Sequence, residues 1–333
     1  MQFLGKMVLS GRTPNLFSRC RPVRSLTTTS QGDLDISGVY PPIATPFEED
    51  GSVAYEKLKV NFDVWNKTPL KGYVVMGSNG EAVSLRYEEK VKLVKNVRAL
   101  ANPDHVIIAG TGCHSTAETI DLTRQVGKDQ SANAALVITP SFYRGRMTDS
   151  ALQTHYEAVA DASPIPVILY SVPANTNLDL SVDVILRLAQ HKNIIGLKDS
   201  SGDIGKISRI VYATKDQKFQ VLVGSAGVLL PALLMGSVGG ICGLANILAN
   251  EVCQVFDLFR NNQLKAAISL QQRLVLPNLM VTRKFGVSGL KKVMDMVGLY
   301  GGPTRPPLLP IEPAEVEQLK QVFQQENFMV SRS

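Results

Sequence analysis

The chain has 333 residues, a formal net charge of +6, 44% hydrophobic and 19% charged residues, a balance that suits a large buried core and excludes a disordered or fibrous protein. Five cations, Lys6, Arg12, Arg19, Arg21 and Arg24, precede the first acidic residue, Asp33, so the remainder is nearly neutral and lacks the cationic excess of a nucleic-acid surface. The 4 cysteines and 4 histidines have no C-x-x-C, H-x-H or H-x-x-x-H spacing, which offers no disulfide framework and argues against a metal-dependent mechanism.

In chain order, residues 1–31 are rich in Arg, Ser and Thr and contain neither Asp nor Glu. They lack the long apolar run of a secretory signal, so a mitochondrial transit peptide and a matrix location are expected; a basic tail without an address is the plainer alternative. Residues 32–250 follow a different rule. Short runs rich in Val, Ile and Leu begin near Val39, Gly72, Val106, Ala134, Ile165, Ile194, Phe219 and Val238. Each ends in small or polar residues and leads into a stretch of helical period. Ser115 and Glu118 form a capping-box pattern, and Tyr87, Val91, Val94, Val97 and Ala101 share one helical face.

Eight βα units in about 220 residues predict an α/β fold, a (β/α)8 TIM barrel. A doubly wound sheet is the alternative, since strand order is not written in the sequence. The stretch from Phe219 to Asn250 carries no charge, but Pro231 and its glycines interrupt it, so strand, helix, strand is predicted there and no membrane span. Residues 251–333 lose the strand pattern. A C-terminal helical extension packed on the barrel is expected, broken at Pro277 and again between Gly301 and Pro307.

Barrel enzymes work at the C-terminal ends of their strands. The residues there are Thr45, the turn Gly77-Ser78-Asn79-Gly80-Glu81, Thr111, Pro140 with Phe142 and Tyr143, Tyr170, Lys198 with Ser200, Gly224-Ser225 and Asn246. Lys198 is the one out of place, because an ammonium in a buried parallel strand costs several kcal/mol unless paired or neutralised. Such a lysine can serve as a nucleophile toward carbonyl groups, forming a Schiff base. Equally, it can reach solvent or pair with Asp199. Tyr170, one strand earlier, brings a phenol that could shuttle protons or simply pack by its ring. The glycine-rich turns at Gly77–Gly80 and Gly224–Gly227 offer successive N–H groups to an anion. Cys113 and His114 have no evident partner and read as structural.

Three ordered motifs, Gly77 to Glu81, Tyr170-Ser-Val-Pro173 and Leu197-Lys198-Asp199-Ser200, resemble the pyruvate-type class I aldolases, the family typified by dihydrodipicolinate synthase and N-acetylneuraminate lyase. The resemblance spans about Gly38 to Glu312. It implies Lys198 as the Schiff-base lysine, Tyr170 as the proton-transfer group, and Ser78 and Asn79 as holders of the substrate carboxylate. Gly224 matches a backbone contact to the substrate, and Tyr143 the tyrosine that members lend across a subunit interface. A homotetramer built from dimers, a small 2-oxo acid substrate, and no metal or organic cofactor are implied in the same way.

Two departures narrow the activity. Dihydrodipicolinate synthases carry an arginine two residues after the proline of Tyr-x-x-Pro, where this chain has Asn175, and usually Thr-Thr where it has Ser78-Asn79. The motifs are most similar to the mitochondrial 4-hydroxy-2-oxoglutarate aldolases of animals, which implies cleavage of that acid to pyruvate and glyoxylate. Asn175, Ser200, Arg144 and Arg146 are then the candidates for its second carboxylate. A sialic-acid or sugar-acid lyase, a dihydrodipicolinate synthase-like enzyme, a phosphate-binding barrel and a non-catalytic metabolite-binding barrel are the competing expectations.

Overall fold

In the computed structural model, which describes residues 34–328, the eight strands fall within a residue or two of the expected starts. They are β1 Gly38–Tyr40, β2 Gly72–Val75, β3 Val106–Gly110, β4 Ala134–Ile138, β5 Val167–Ser171, β6 Ile194–Asp199, β7 Gln220–Val223 and β8 Gly239–Ile241. All are parallel, in the order β1-β8-β7-β6-β5-β4-β3-β2. The two ends of that row also join. Lys71 N–H donates to Val39 O (3.0 Å), Val74 N–H to Pro41 O (3.0 Å) and Ile43 N–H to Val74 O (2.9 Å). Among the described residues no edge of this sheet is left, and the alternating helices make the (β/α)8 barrel that the repeat predicted. The presequence expected at residues 1–31 lies outside the described residues.

Strand alternation separates two layers of core. Val74, Ile108, Leu136, Ile168 and Leu222 fill the barrel. Val75, Val137, Leu169 and Val223 face outward against the helices α1 Tyr55–Trp65, α2 Tyr87–Leu100, α3 Thr116–Lys128, α4 Asp149–Ala162, the single turn α5 Pro173–Thr176, α6 Val182–Leu188, α7 Ile204–Ala213, α8 Leu229–Leu234 and α9 Ala249–Arg260.

Several helices start on side-chain caps, each worth about 1 kcal/mol. Ser115 accepts from Glu118 N–H, Thr148 from Ala151 N–H, Ser181 from Val184 N–H and Asp203 from Lys206 N–H. The predicted face of α2 is largely the buried one: Val94, Val97 and Ala101 are covered, Val91 packs against the core and Leu93 joins them, while Tyr87 is at the surface.

After the barrel come α10 Leu264–Leu279, a wide π turn Met280–Lys284, α11 Gly286–Met296 and α12 Pro313–Gln325. Here the structure corrects one expectation. The helix is not broken at Pro277, which is buried within α10. A proline forfeits the bond to the carbonyl four residues back, but flanking contacts hold the chain helical and it widens afterwards. Asn278 Nδ2 donates to Ser225 Oγ at 3.0 Å, and Thr282 Oγ1 donates to Asn278 O at 2.6 Å. The second break stands, as irregular chain between α11 and α12. Among the described residues no helix is long and apolar enough to cross a membrane; Phe219 to Asn250 is strand, helix, strand.

Candidate active site

Tyr170 and Lys198 are direct partners across the parallel ladder of β5 and β6, so both side chains point into the barrel at its C-terminal mouth. Lys198 is 2% exposed, and its Nζ lies 4.0 Å from the centroid of the Tyr170 ring. The next residue turns the other way, as strand alternation requires. Asp199 is buried outside the barrel, with Oδ2 2.9 Å from Lys206 Nζ and Oδ1 accepting from Ser201 N–H at 2.9 Å. Pairing of Lys198 with Asp199 is therefore ruled out. Among the described residues no carboxylate lies within ion-pair reach of Lys198.

What Lys198 has instead is a phenol in a polar setting. Ser78 Oγ is 3.3 Å from Tyr170 Oη. Burial alone would push this phenol up; the Lys198 charge and hydrogen bonds with Ser78, Lys198 and Ser200 outweigh it and hold the phenol below its usual range. A phenol so lowered, in contact with Lys198, can act as a base beside it. That is what a nucleophilic amine with an adjoining base requires.

Ser78 and Asn79 sit on a single 3-10 turn, Ser78–Gly80, directly after β2. The turn is bracketed by two non-glycine residues in left-handed backbone, Met76 (φ 60°) and Glu81 (φ 52°), an uncommon and costly conformation. Thr45 Oγ1 donates to Gly80 O at 2.6 Å and holds the turn against the loop that follows β1. Asn79 lies against the backbone of Gly243, where an added Cβ would stand 3.4 Å from Nδ2.

Gly224 serves the site in a way its motif did not reveal. A Cβ there would fall 1.8 Å from Ser200 Oγ, so only glycine leaves room for that hydroxyl beside Tyr170. Its N–H is already committed to Asp199 O at 2.7 Å.

Other residues from the strand ends are consumed by structure. Asn246 accepts from Ala44 N–H and donates to Pro42 O and Gly243 O, and Thr111 accepts from Thr123. His114 accepts from Ser141 N–H. Cys242, buried near Lys198, has its thiol pushed up to about 12 by burial, against the pull of the Lys198 charge, and is no nucleophile in that state.

Tyr143 and Asn175 are not brought to this cluster. Tyr143 is 72% exposed and stacks edge-on to the equally exposed Phe142, beside the short turn Arg144–Arg146. Asn175 is exposed on α5. One group near the mouth, Arg283, was not found from the sequence, and neither was the partner of Glu81. Arg283, on the π turn, has Nη2 3.9 Å from where a Cβ on Gly202 would stand, over the loop that follows Ser200, and has no ion-pair partner among the described residues. Glu81 ends the turn on a buried contact with Lys291 of α11, 2.6 Å away. Among the described residues no cluster of three or more His, Cys, Asp or Glu side chains could hold a metal ion.

Comparison with known proteins gives a family. The sequence profile of the "Dihydrodipicolinate synthetase family" matches residues 35–326. A 4-hydroxy-tetrahydrodipicolinate synthase of Methanothrix thermoacetophila is 35% identical over 286 residues, covering 86% of this chain and 95% of its own. A protein of Emericella nidulans named "Probable 4-hydroxy-2-oxoglutarate aldolase, mitochondrial" is 34% identical over 293 residues, with 86% and 94% covered. Among solved structures, the dihydrodipicolinate synthase of Acinetobacter baumannii complexed with pyruvate superposes with a TM-score of 0.84 at 31% identity, over 89% of this chain and 100% of that one.

Proposed function

The chain belongs to the dihydrodipicolinate synthetase family, and so to the pyruvate-dependent enzymes that work through a Schiff base; on that premise we propose that it cleaves 4-hydroxy-2-oxoglutarate to pyruvate and glyoxylate. Lys198 Nζ attacks the C2 ketone, and loss of water gives an iminium. Tyr170 takes the proton of the C4 hydroxyl while the electrons of the C3–C4 bond move into the iminium, releasing glyoxylate and leaving an enamine. Protonation at C3 and hydrolysis then release pyruvate and restore the lysine. Atoms and electrons balance without an outside oxidant or reductant.

The observation that carries this assignment is the contact of Lys198 with a phenol that also bonds Ser78. It brings together, around one point, the nucleophile, the proton carrier and the turn assigned to the C1 carboxylate. For the second carboxylate we assign Arg283 in place of Arg144 and Arg146, which stand on the exposed loop with Tyr143. We assign Tyr143 to the site of a neighbouring subunit in a homotetramer; its exposure supports this, and loss of activity on dilution to dissociated subunits would test it. Residues 1–31 are proposed to direct the chain to mitochondria, which import of a tagged chain checks.

A second activity has its own support. Several relatives bear the name 4-hydroxy-tetrahydrodipicolinate synthase, and by similarity alone a condensation of pyruvate with an amino-aldehyde is the better supported choice. Against it stands Asn175, where the resemblance to dihydrodipicolinate synthases calls for arginine. Borohydride reduction in the presence of pyruvate, followed by peptide mapping, tests the shared chemistry: an adduct on Lys198 is expected. Offering glyoxylate and aspartate semialdehyde in parallel to the pyruvate-loaded enzyme then decides between the two. Turnover with the semialdehyde alone would overturn the aldolase assignment.

A further inference from the structure

The extension after the barrel reaches the site through one buried charge cluster. Glu81 is 3% exposed and sits in left-handed backbone at φ 52°, ψ 37°. Its Oε1 lies 2.6 Å from Lys291 Nζ, and its Oε2 accepts from Arg305 N–H at 2.9 Å. Lys291, also buried, donates to Pro303 O at 2.8 Å. The Lys291 ammonium and the Arg305 guanidinium each stand 4.4 Å from the centroid of the Phe47 ring. Arg305 then grips the outer side of the same segment, through both oxygens of Glu89 at 2.7 and 2.9 Å and through Ser84 O at 2.6 Å.

From Glu81 the connection runs inward. Its own N–H donates to Ser78 O at 3.2 Å, and Ser78 Oγ is the group that meets the Tyr170 phenol. A continuous path of contacts therefore joins Lys291 on α11 to the phenol beside Lys198. Stability does not explain a charged pair in this place. Withdrawing two ions from water costs several kcal/mol each, and a well-packed apolar pair commonly does as well or better. An ion pair does constrain distance and direction, and here it holds a backbone that few non-glycine residues adopt.

We infer that the Glu81–Lys291 pair is a positioning device for the substrate: it fixes the Ser78–Gly80 turn so that Ser78 and Asn79 stay in register with Tyr170 and Lys198. Neither member touches the substrate. The inference rests on the assignment of Ser78 and Asn79 to the C1 carboxylate. Its consequence is that the C-terminal extension is part of the binding machinery, and that changes at Lys291, remote in sequence from every motif, act on affinity for the 2-oxo acid.

The test is borohydride trapping over a range of pyruvate concentrations in the full-length protein, comparing the unaltered enzyme with Lys291→Met, Lys291→Arg and Glu81→Gln. Misplacing a binding group by a fraction of an ångström to an ångström is costly, so the half-saturating pyruvate concentration is expected to rise about tenfold in Lys291→Met with a nearly unchanged limiting rate. Lys291→Arg, which keeps the charge, should recover most of the affinity. A folded Lys291→Met protein with unaltered half-saturation would overturn the inference. Should that variant not fold, Glu81→Gln decides in the same way, since it removes the charge and keeps the side-chain shape. Absence of any Lys198 adduct in the unaltered enzyme would instead overturn the aldolase assignment, and the inference with it.

Discussion

Lys198 and Lys291 are buried to the same degree, 2% and 1% exposed, and each stands over an aromatic ring, Tyr170 and Phe47 respectively; their polar partners differ. Lys291 meets a carboxylate at 2.6 Å; Lys198 meets an aromatic ring and its phenol. Burial pulls the Lys291 ammonium down while Glu81 opposes it, and the pair is locked. Lys198 is left with a partner that gives and takes a proton. Burial of a lysine is thus no sign of reactivity by itself. The partner decides: a fixed counter-charge makes an anchor, and on the proposed function the phenol beside Lys198 makes that lysine the nucleophile.

The largest effect should separate the two lysines chemically. Lys198→Met is expected to abolish the pyruvate adduct and reduce turnover at least about 10³-fold, and peptide mapping of the unaltered enzyme should find no adduct on Lys291. An adduct on Lys291 would break the comparison outright.

Stability should separate them in the opposite sense. Lys291→Met strands a buried carboxylate, and chemical unfolding should register a loss of about 3–5 kcal/mol. Lys198→Met removes a buried side chain that has no carboxylate partner and should be close to neutral or stabilising in the same assay. Equal losses from both would show that the difference in partners carries no energetic weight.

Tyr170→Phe sharpens the account of the reactive lysine. Adduct formation should persist while turnover falls about 10²-fold. Because the phenol is held below its usual range near 10, more of its basic form is present at a given pH. The pH profile of kcat/KM should therefore rise to an inflection below 10 and lose it in the variant. The smallest effect is expected from Arg283→Ala: about a tenfold rise in KM for 4-hydroxy-2-oxoglutarate, reflecting one exposed charge-assisted contact, with pyruvate trapping unchanged. A parallel loss of pyruvate trapping would remove Arg283 from the second-carboxylate role.

Much of this was legible in the chain. The strands are continuous β-branched runs because both faces of each are buried, and Lys198 stood out as a charge inside one of them. Its choice of partner was not legible, since Asp199 is adjacent in sequence yet faces away. The π turn was hidden because Pro277 reads locally as a helix end, while in the fold backbone bonds from Met280 N–H to Leu276 O and Pro277 O continue the helix and Asn278 is tied to Ser225. Gly224 looked like an anion-binding glycine, while its close contact is with Ser200 from the neighbouring strand end.

By itself the sequence determined the (β/α)8 repeat and the strand ends and singled out Lys198 as the candidate nucleophile, because periodicity and the cost of burying a charge are local properties. Closure of the barrel decided the rest. It set the register that puts Tyr170 against Lys198, brought the extension back so that Lys291 meets Glu81 and Arg283 overhangs the mouth, and chose glycine at 224 for the sake of Ser200. Contacts of that kind join residues with no shared sequence pattern, and they arise only when the strands and the segment after them are packed around one axis.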